Sequence, residues 1–116
     1  MPRSNLPGFP ATFFRRLESL THLELAGNKV STGLEVFSPM RELKELDLTW
    51  NKIADIHELS ALNSLMKLSS LRLQGNPILA DPGNMTVDEA LGVALQQLKG
   101  TSVSCLRANA DFEVCK

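Results

Sequence analysis

Two histidines and two cysteines are the side chains of this sequence best suited to catalysis or metal binding. A hydrolytic site needs a nucleophile, a base and a group that orients the base. His22 and His57 stand near no serine or cysteine motif of known spacing, so no such set can be assembled. Cys105 and Cys115 lack the close spacing of a zinc-binding pair, and no histidine lies near them in the sequence. We therefore expect no catalytic residue, no metal and no cofactor.

The cysteine count also bears on the compartment. Cys105 and Cys115 are too few for a disulfide framework. This favours a buried thiol at Cys105, a mobile tail thiol at Cys115 and a cytoplasmic location, with a disulfide in an exported form as the alternative. No apolar stretch of secretory length follows Arg3, and the glycosylation sequon at Asn84 matters only in a secreted chain.

Length and composition indicate one folded domain. The chain has 116 residues, of which 43% are apolar, enough for a core and too few residues for two separate ones. Twelve Lys and Arg oppose 13 Asp and Glu, so there is no net field to attract a polyanion. No apolar run approaches the roughly 20 residues that span a bilayer. We therefore expect neither nucleic acid nor a membrane as the partner.

The most specific pattern is an eleven-residue phrase that occurs three times, over 20–30, 43–53 and 68–78. Each copy fits L-x-x-L-x-L-x-x-N-x-(V/I). Its L-x-L portion alternates leucine with other residues at a period of two, which is typical of a short half-buried strand. Such a strand is too short to be stable alone. The copies must therefore pair side by side in a parallel sheet, each return being made by the segment between repeats.

Each copy carries an asparagine where the chain turns off the strand. A short amide at this point can satisfy backbone groups of the turn, and stacked copies could form a ladder. We therefore interpret Asn28, Asn51 and Asn76 as structural residues.

The repeated phrase resembles the leucine-rich repeat family. The resemblance implies an α/β fold: a leucine-rich repeat solenoid with a short parallel β-sheet on the concave face, irregular or helical turns on the convex face, and a C-terminal capping helix. The second return segment resembles the short-repeat class typified by a protein phosphatase regulatory subunit, with ribonuclease-inhibitor-like character at the C-terminal end. We expect a single domain over 1–116, divided into an N-terminal cap or partial repeat (1–19), three repeats (20–42, 43–67 and 68–85) and a C-terminal helix and cap (86–116).

The return segments differ in their expected structure. After the first repeat, Gly33 and Pro39 predict an irregular return or a single turn. After the second, apolar residues recur at every third position, which predicts 3₁₀ or α turns. The spacing of Asp55 and Glu58 predicts a capping pair for those turns.

The two ends are less regular. The spacing of Phe14, Leu17 and Leu20, with Thr12 as the candidate helix cap, predicts the returning half of a further repeat. At the other end, a capping box beginning at Thr86 predicts a helix over 87–99, which Gly100 terminates. The segment 101–109 is predicted to be a terminal edge strand that caps the array.

The repeat alignment also assigns the residues that point away from the core. They form four rows across the predicted sheet: His22, Glu45 and Ser70; Glu24, Asp47 and Arg72; Ala26, Thr49 and Gln74; Gly27, Trp50 and Gly75. Asp47 and Arg72 can pair laterally, which leaves Glu24 and Glu45 as the unneutralised acidic side. The candidate partner-binding residues are His22, Glu24, Glu45, Asp47, Thr49, Trp50, Arg72 and Gln74.

Trp50 is the most informative single residue of this surface. It is the only tryptophan, and it stands where both other copies have glycine. Large exposed aromatic residues are enriched in binding hot spots. The alternative is that the ring folds over its own turn and packs on Lys52 or the neighbouring strand.

The resemblance implies a non-enzymatic module that binds a partner protein through the concave sheet, as a monomer or within a larger complex. The first alternative is a regulatory or scaffold segment of a larger machine, such as a phosphatase regulator, a ubiquitin-ligase adaptor or an axonemal component. The second is a fragment of an immune or receptor-type ligand-binding protein. That reading predicts a glycan on Asn84 and a Cys105–Cys115 bond.

Overall fold

A computed structural model of the protein describes residues 19–109 and 111–116. The cap or partial repeat expected over 1–19, with Thr12, Phe14 and Leu17, falls almost wholly outside these residues. Strands and short helices alternate over the three repeats, and a longer helix and a two-stranded hairpin follow them. In order, the elements are β1 (His22–Glu24), a first 3₁₀ helix (Leu34–Phe37), β2 (Glu45–Asp47), a second 3₁₀ helix (Ile56–Ser64), β3 (Ser70–Arg72), α1 (Pro77–Ala80), α2 (Val87–Gln96), β4 (Cys105–Asn109) and β5 (Phe112–Cys115).

The first three strands form a parallel sheet in the order β1-β2-β3. Leu23 faces Leu46, which in turn faces Leu71, so the three repeats are stacked without any offset. The pairing continues beyond the strands, because the amide of Trp50 donates to the carbonyl of Gln74 at 2.8 Å. A three-residue strand has too few bonds to be stable alone, so this stacking and the core beneath it hold the sheet.

Asn51 joins neighbouring repeats through buried hydrogen bonds. Its Oδ1 accepts from the amide of Val30 at 3.0 Å. Its Nδ2 donates to the carbonyl of Leu25 in the preceding repeat and to that of Leu48 in its own, each at 3.0 Å. Nδ2 also lies 3.2 Å from the carbonyl of Thr49, so one side chain contacts four backbone groups from two turns.

Asn76 has the same arrangement one repeat further along. Its Oδ1 accepts from the amide of Ile53 at 3.1 Å, and its Nδ2 donates to the carbonyls of Leu48 and Leu73. Asn28 is exposed and donates to two carbonyls of its own turn. Asn51 and Asn76 thus form a ladder between repeats, while Asn28 stabilises a local turn.

The return segments place an apolar core behind the sheet. The first return contains a single 3₁₀ turn, and the second a nine-residue 3₁₀ helix, in agreement with the spacing of their apolar residues. Asp55 caps the second helix by accepting from the amide of His57 at 3.0 Å. The prediction that Glu58 also caps this helix is wrong, because its carboxylate accepts from the amide of Leu34 in the neighbouring return. This bond links the two returns, as the asparagines link the turns.

Helix α2 closes the core after the third repeat. Thr86 and Glu89 form the predicted capping box, with reciprocal bonds of 3.1 and 2.9 Å. The helix ends at Gln96, before the predicted residue 99. Its last turn tightens, since the amide of Leu98 bonds to the carbonyl of Leu95, three residues earlier.

Gly100 has a different role from the one predicted. Its backbone is not in the left-handed region. Instead it packs against the second 3₁₀ helix, where a Cβ at position 100 would lie 2.5 Å from the carbonyl oxygen of Asn63. The Asn63 side chain donates to the carbonyl of Gln97 and accepts from the Gly100 amide, each at 2.7 Å. Gly100 is therefore required for a close approach between two segments.

The C-terminal segment corrects two predictions. A strand does form within 101–109, but β4 pairs antiparallel with β5 rather than joining the parallel sheet. This hairpin places Cys105 directly opposite Cys115, and a disulfide joins them. The prediction of a buried thiol and a mobile tail thiol is therefore wrong. The repeat pattern does not extend to the hairpin, so it carries no information on this pairing.

Candidate functional site

The exposed side of the β1–β3 sheet, here called the open face, carries the candidate residues in the predicted rows. The strand register pairs His22 with Glu45 and Asp47 with Arg72. A shallow hollow of about 290 Å³ lies over the middle of this face. Its lining residues are His22, Leu23, Glu24, Glu45, Leu46, Asp47, Ser70 and Arg72.

The charges of the open face pair differently from the sequence prediction. Glu45 is not without a partner: its Oε2 lies 3.0 Å from Nε2 of His22. Asp47 does not pair with Arg72, because its Oδ1 accepts from the amide and the hydroxyl of Thr49, at 3.0 and 2.8 Å. Within the part of the chain that the structure describes, Glu24 and Arg72 have no ion-pair or hydrogen-bond partner for their side chains. The open face therefore offers one free acid and one free base.

His22 also receives a contact from its neighbour in the sequence. The Thr21 hydroxyl lies 2.8 Å from Nδ1 of His22, whose Nε2 faces Glu45. A hydroxyl, an imidazole and a carboxylate in this order resemble the connectivity of a nucleophile, a base and an orienting acid. The His22 and Glu45 side chains are 61% and 56% exposed, however. Bulk water screens such a set, so it lacks the enclosed polar environment on which acyl transfer depends.

Trp50 combines exposure with an unusual backbone. It has a φ of 57° and is the only non-glycine residue with positive φ in the described ranges. The matching residues of the other repeats, Gly27 and Gly75, have φ values of 77° and 80°. The indole ring lies against the backbone of Gly75 in the next repeat, yet the residue remains 69% exposed. The ring therefore contacts the neighbouring turn and still presents most of its surface to solvent, and a role in binding stays a prediction.

A second concavity separates β3 from the C-terminal hairpin, and we call it the edge groove. Its volume is about 550 Å³. On one side lie Asp47, Thr49, Trp50, Ser69, Ser70, Leu71, Arg72 and Gln74, and on the other Ser104, Cys105, Arg107 and Glu113. Asp47, Ser70 and Arg72 border both the hollow and the groove. The eight candidate residues therefore lie along one continuous surface.

The residues on the hairpin side of the groove could not be found from the repeats. Arg107 and Glu113 face each other across β4 and β5, with Nη2 and Oε1 3.5 Å apart. Neither occupies a repeat position, and no local motif in the sequence marks a hairpin that packs beside the last repeat. Their place in the groove follows only from the fold.

One cluster of the described residues has the composition of a metal site. Cys105, Glu113 and Cys115 offer ligand atoms within 4.8 Å of one another. Zinc binds cysteine as the thiolate, whereas these two sulfurs are joined in a disulfide. The Glu113 carboxylate is also engaged by Arg107. In this state the cluster does not provide the donors that a metal would need.

The sequence is similar to several known proteins. A sequence model of the family described as "Leucine rich repeat" matches residues 2–53. Protein toll of Drosophila melanogaster is 36% identical over 83 residues, which are 70% of this chain and 7% of that protein. Acidic leucine-rich nuclear phosphoprotein 32-related protein 1 of Oryza sativa subsp. japonica is 39% identical over 77 residues, 65% of this chain and 15% of that protein.

A third relative is acidic leucine-rich nuclear phosphoprotein 32 family member A of Drosophila pseudoobscura pseudoobscura. It is 36% identical over 73 residues, which are 63% of this chain and 26% of that protein. The chain thus spans about a quarter or less of the length of these relatives. Among the described residues, no helix is long and apolar enough to cross a membrane. The three stacked repeats, the asparagine ladder and these similarities show that the chain belongs to the leucine-rich repeat family.

Proposed function

We propose that this chain binds a partner protein through the open face of its sheet, with Trp50 as the central contact. Leucine-rich repeat domains generally mediate protein–protein interaction. Domains of this family, including those of the relatives named above, are generally non-enzymatic. In this proposal the stacked repeats form a solenoid whose concave side is the open face. The module acts as a monomer or as part of a larger complex.

The backbone of Trp50 is the observation that carries this proposal. Left-handed φ values cost about 1–2 kcal/mol for a residue with a side chain, and glycine occupies the same position in both other repeats. Burial does not compensate for this cost, because most of the Trp50 surface is exposed. Residues held in strained backbone conformations cluster at functional sites, and tryptophan is enriched in binding hot spots.

The surrounding charges support a polar partner surface. Glu24 lies on β1 and Arg72 on β3, so the two unpaired charges stand at opposite ends of one row. A partner with a complementary pair of charges would fix its orientation on the sheet, since such pairs contribute to specificity more than to affinity. Trp50 would provide the buried anchor between the sheet and the hairpin.

Two exchanges at the open face test the proposal. In Trp50→Gly the side chain is removed and the residue becomes the one found at positions 27 and 75, so the fold should be preserved. In Asp47→Lys a positive charge replaces the negative charge that lies between Glu24 and Arg72. Met66→Ala is the matched control, because Met66 is 71% exposed and lies outside the hollow and the edge groove.

The measurement is quantitative capture of proteins from the source cell by each form of the chain. We expect the wild type and Met66→Ala to capture the same partner proteins. Trp50→Gly and Asp47→Lys should no longer capture them. If all four forms recover the same proteins in the same amounts, the open face is not the binding surface. The scaffold and receptor-type alternatives would use this face as well, and the identity of the captured proteins separates them.

A further inference from the structure

One side of the C-terminal hairpin carries two facing pairs of polar or reactive side chains. Cys105 lies opposite Cys115, and Arg107 lies opposite Glu113, two residues further along each strand. Residues two apart in a strand point to the same side of it. All four side chains therefore share one side of the hairpin, where each residue is exposed or partly exposed.

The other side of the hairpin attaches it to the core. Leu106 is buried, and Val114, which faces it across the two strands, packs against the same core. Beyond the cysteine pair, the amide of Lys116 donates to the carbonyl of Ser104 at 2.7 Å. None of these contacts involves a sulfur atom. They would therefore keep the two cysteines side by side when the bond between them is broken.

The disulfide is only one oxidation state of this pair. A dithiol reductant supplies two electrons and two protons: the bond between the sulfurs breaks, each sulfur gains a hydrogen, and the reductant becomes a disulfide. Cys115 is exposed and Cys105 partly exposed, so a reductant can reach the bond. The reduced pair then lies beside a carboxylate, because the ligand atoms of Cys105, Glu113 and Cys115 are within 4.8 Å of one another.

Two thiolates and a carboxylate form a donor set that zinc accepts. Zinc binds sulfur at about 2.3 Å and carboxylate oxygen at about 2.0–2.2 Å, so the donors around one tetrahedral ion lie about 3.5–4 Å apart. The spacing of the cluster is close to this value and needs only side-chain rotation to reach it. Arg107 does not withhold Glu113, since their 3.5 Å contact is exposed and such ion pairs are weak.

From this cluster we infer that reduction of the disulfide creates a zinc site. The thiolates of Cys105 and Cys115 and the carboxylate of Glu113 bind the ion, and water takes the fourth position. The disulfide and the zinc site exclude each other, because both use the same two sulfurs. Either one joins β4 to β5, so the hairpin is cross-linked in an oxidising compartment and in a reducing compartment that supplies zinc. No ligand of this site lies on the open face, so the inference is independent of the proposed function.

Zinc binding is measured on the full chain after reduction with a phosphine and removal of the reagent without air. The untreated disulfide form is measured beside it. Competition with a chromophoric chelator gives the affinity for Zn²⁺, and Cd²⁺ reports thiolate ligands through its ultraviolet charge-transfer absorption. Mg²⁺ is the control ion, because it prefers oxygen ligands.

The reduced chain should bind one zinc ion and release about two protons from its thiols, whereas the disulfide form should bind none. Glu113→Gln should bind at least about tenfold more weakly, since even groups that only orient a ligand contribute about 10–100-fold. Arg107→Met should bind more tightly, because the carboxylate loses its competing partner. Glu35→Gln is the matched control and should have no effect, since Glu35 is exposed on the first 3₁₀ helix.

Three results would overturn the inference. The reduced chain could bind no more zinc than the disulfide form, the Glu113→Gln and Arg107→Met variants could bind like the wild type, or reduced Cys105→Ser could retain the ion, which would then lie elsewhere.

The NMR signals of Leu106 and Val114 report on the hairpin itself. Signals that survive reduction, or that are lost and then restored by zinc, agree with the inference, because metal binding and folding are coupled. Signals that zinc does not restore contradict it.

Discussion

The indole ring of Trp50 lies against the backbone of Gly75, so that a Cβ at position 75 would stand 2.5 Å from ring atoms Cδ2 and Cε3. The two residues occupy equivalent positions in successive repeats, and both have positive φ. Gly75 therefore allows two things at once: the left-handed turn of its own repeat and the placement of the tryptophan from the preceding one. Trp50 keeps a defined orientation while most of its surface remains available.

Gly75→Ala should displace the indole ring. The new methyl group occupies the space of the ring, which must swing towards solvent, and we expect a red-shifted emission and a weaker near-ultraviolet circular dichroism signal. Gly27→Ala is the matched control, because its φ is also positive but nothing lies within 4 Å of the added Cβ. Both variants should lose about 1–2 kcal/mol of stability from backbone strain, and only Gly75→Ala should alter the Trp50 spectra. Unchanged spectra in Gly75→Ala would contradict the contact.

Asn76→Ala should strongly destabilise the fold. Asn76 is fully buried and satisfies the amide of Ile53 and two carbonyls. Each buried group left without a partner costs about 1–3 kcal/mol, so we expect a loss of about 3 kcal/mol or more in urea denaturation. Asn28→Ala is the control: Asn28 is exposed, and water can replace its two bonds. A loss above about 1 kcal/mol there, or equal losses in both variants, would show that the ladder is not the source of the stability.

Gly100→Ala and Gly92→Ala should have opposite effects. An alanine Cβ at position 100 would lie 2.5 Å from the Asn63 carbonyl oxygen, a backbone atom that cannot move aside freely. Gly92 lies within α2, and nothing is within 4 Å of its added Cβ. Replacing glycine by alanine inside a helix stabilises it by about 0.5–1 kcal/mol. We expect a higher melting temperature for Gly92→Ala and a lower one for Gly100→Ala. A gain in both would exclude the close contact with Asn63.

The sequence predicts the repeated parts of the fold well, because each repeat must satisfy the same constraints. Leucine spacing determines which side of a strand is buried, and this predicts the register of Glu45 with Ser70 and of Asp47 with Arg72. Contacts that depend on a single side chain are less predictable. Asp47 has an acceptor oxygen that either Arg72 or Thr49 could use, and local geometry favours Thr49. The C-terminal hairpin is outside the repeat pattern, which is why the place of Arg107 was not predicted and the disulfide was only the alternative to two free thiols.

The Glu42–Lys67 ion pair predicts a small dependence of stability on pH. Lys67 Nζ donates to the Glu42 carboxylate at 2.7 Å. This hydrogen bond and the charge of Lys67 lower the pKa of Glu42. A lowered folded-state pKa means that the contribution is present at neutral pH and is lost as the pH falls through that pKa. An NMR titration should therefore give Glu42 a pKa below its ordinary value.

Variants of the two nearby lysines identify the cause of this pKa shift. Lys67→Met should return the pKa of Glu42 towards its ordinary value, because both the hydrogen bond and the largest charge effect are removed. Lys44→Met should change the pKa much less, since Lys44 makes no hydrogen bond to Glu42 and its charge has a smaller effect than that of Lys67. An equal change in both variants would mean that the field around Glu42, rather than the Lys67 contact, lowers the pKa.

The Cys105–Cys115 bond makes a prediction about the compartment as well as about stability. Disulfides persist in oxidising compartments and are rare in the cytosol. The cytoplasmic location was predicted from two free thiols, and the structure has a disulfide in their place. The location itself stays a prediction. Protein isolated in the presence of an alkylating reagent should carry no label on either cysteine until it is reduced. Reduction should lower the free energy of unfolding by about 2–3 kcal/mol, as expected for a cross-link with a sequence separation of 10. A double Cys105→Ser, Cys115→Ser variant should be less stable by a similar amount and should not respond to reductant. Full labelling of both cysteines in the untreated protein would instead favour free thiols and the cytoplasm.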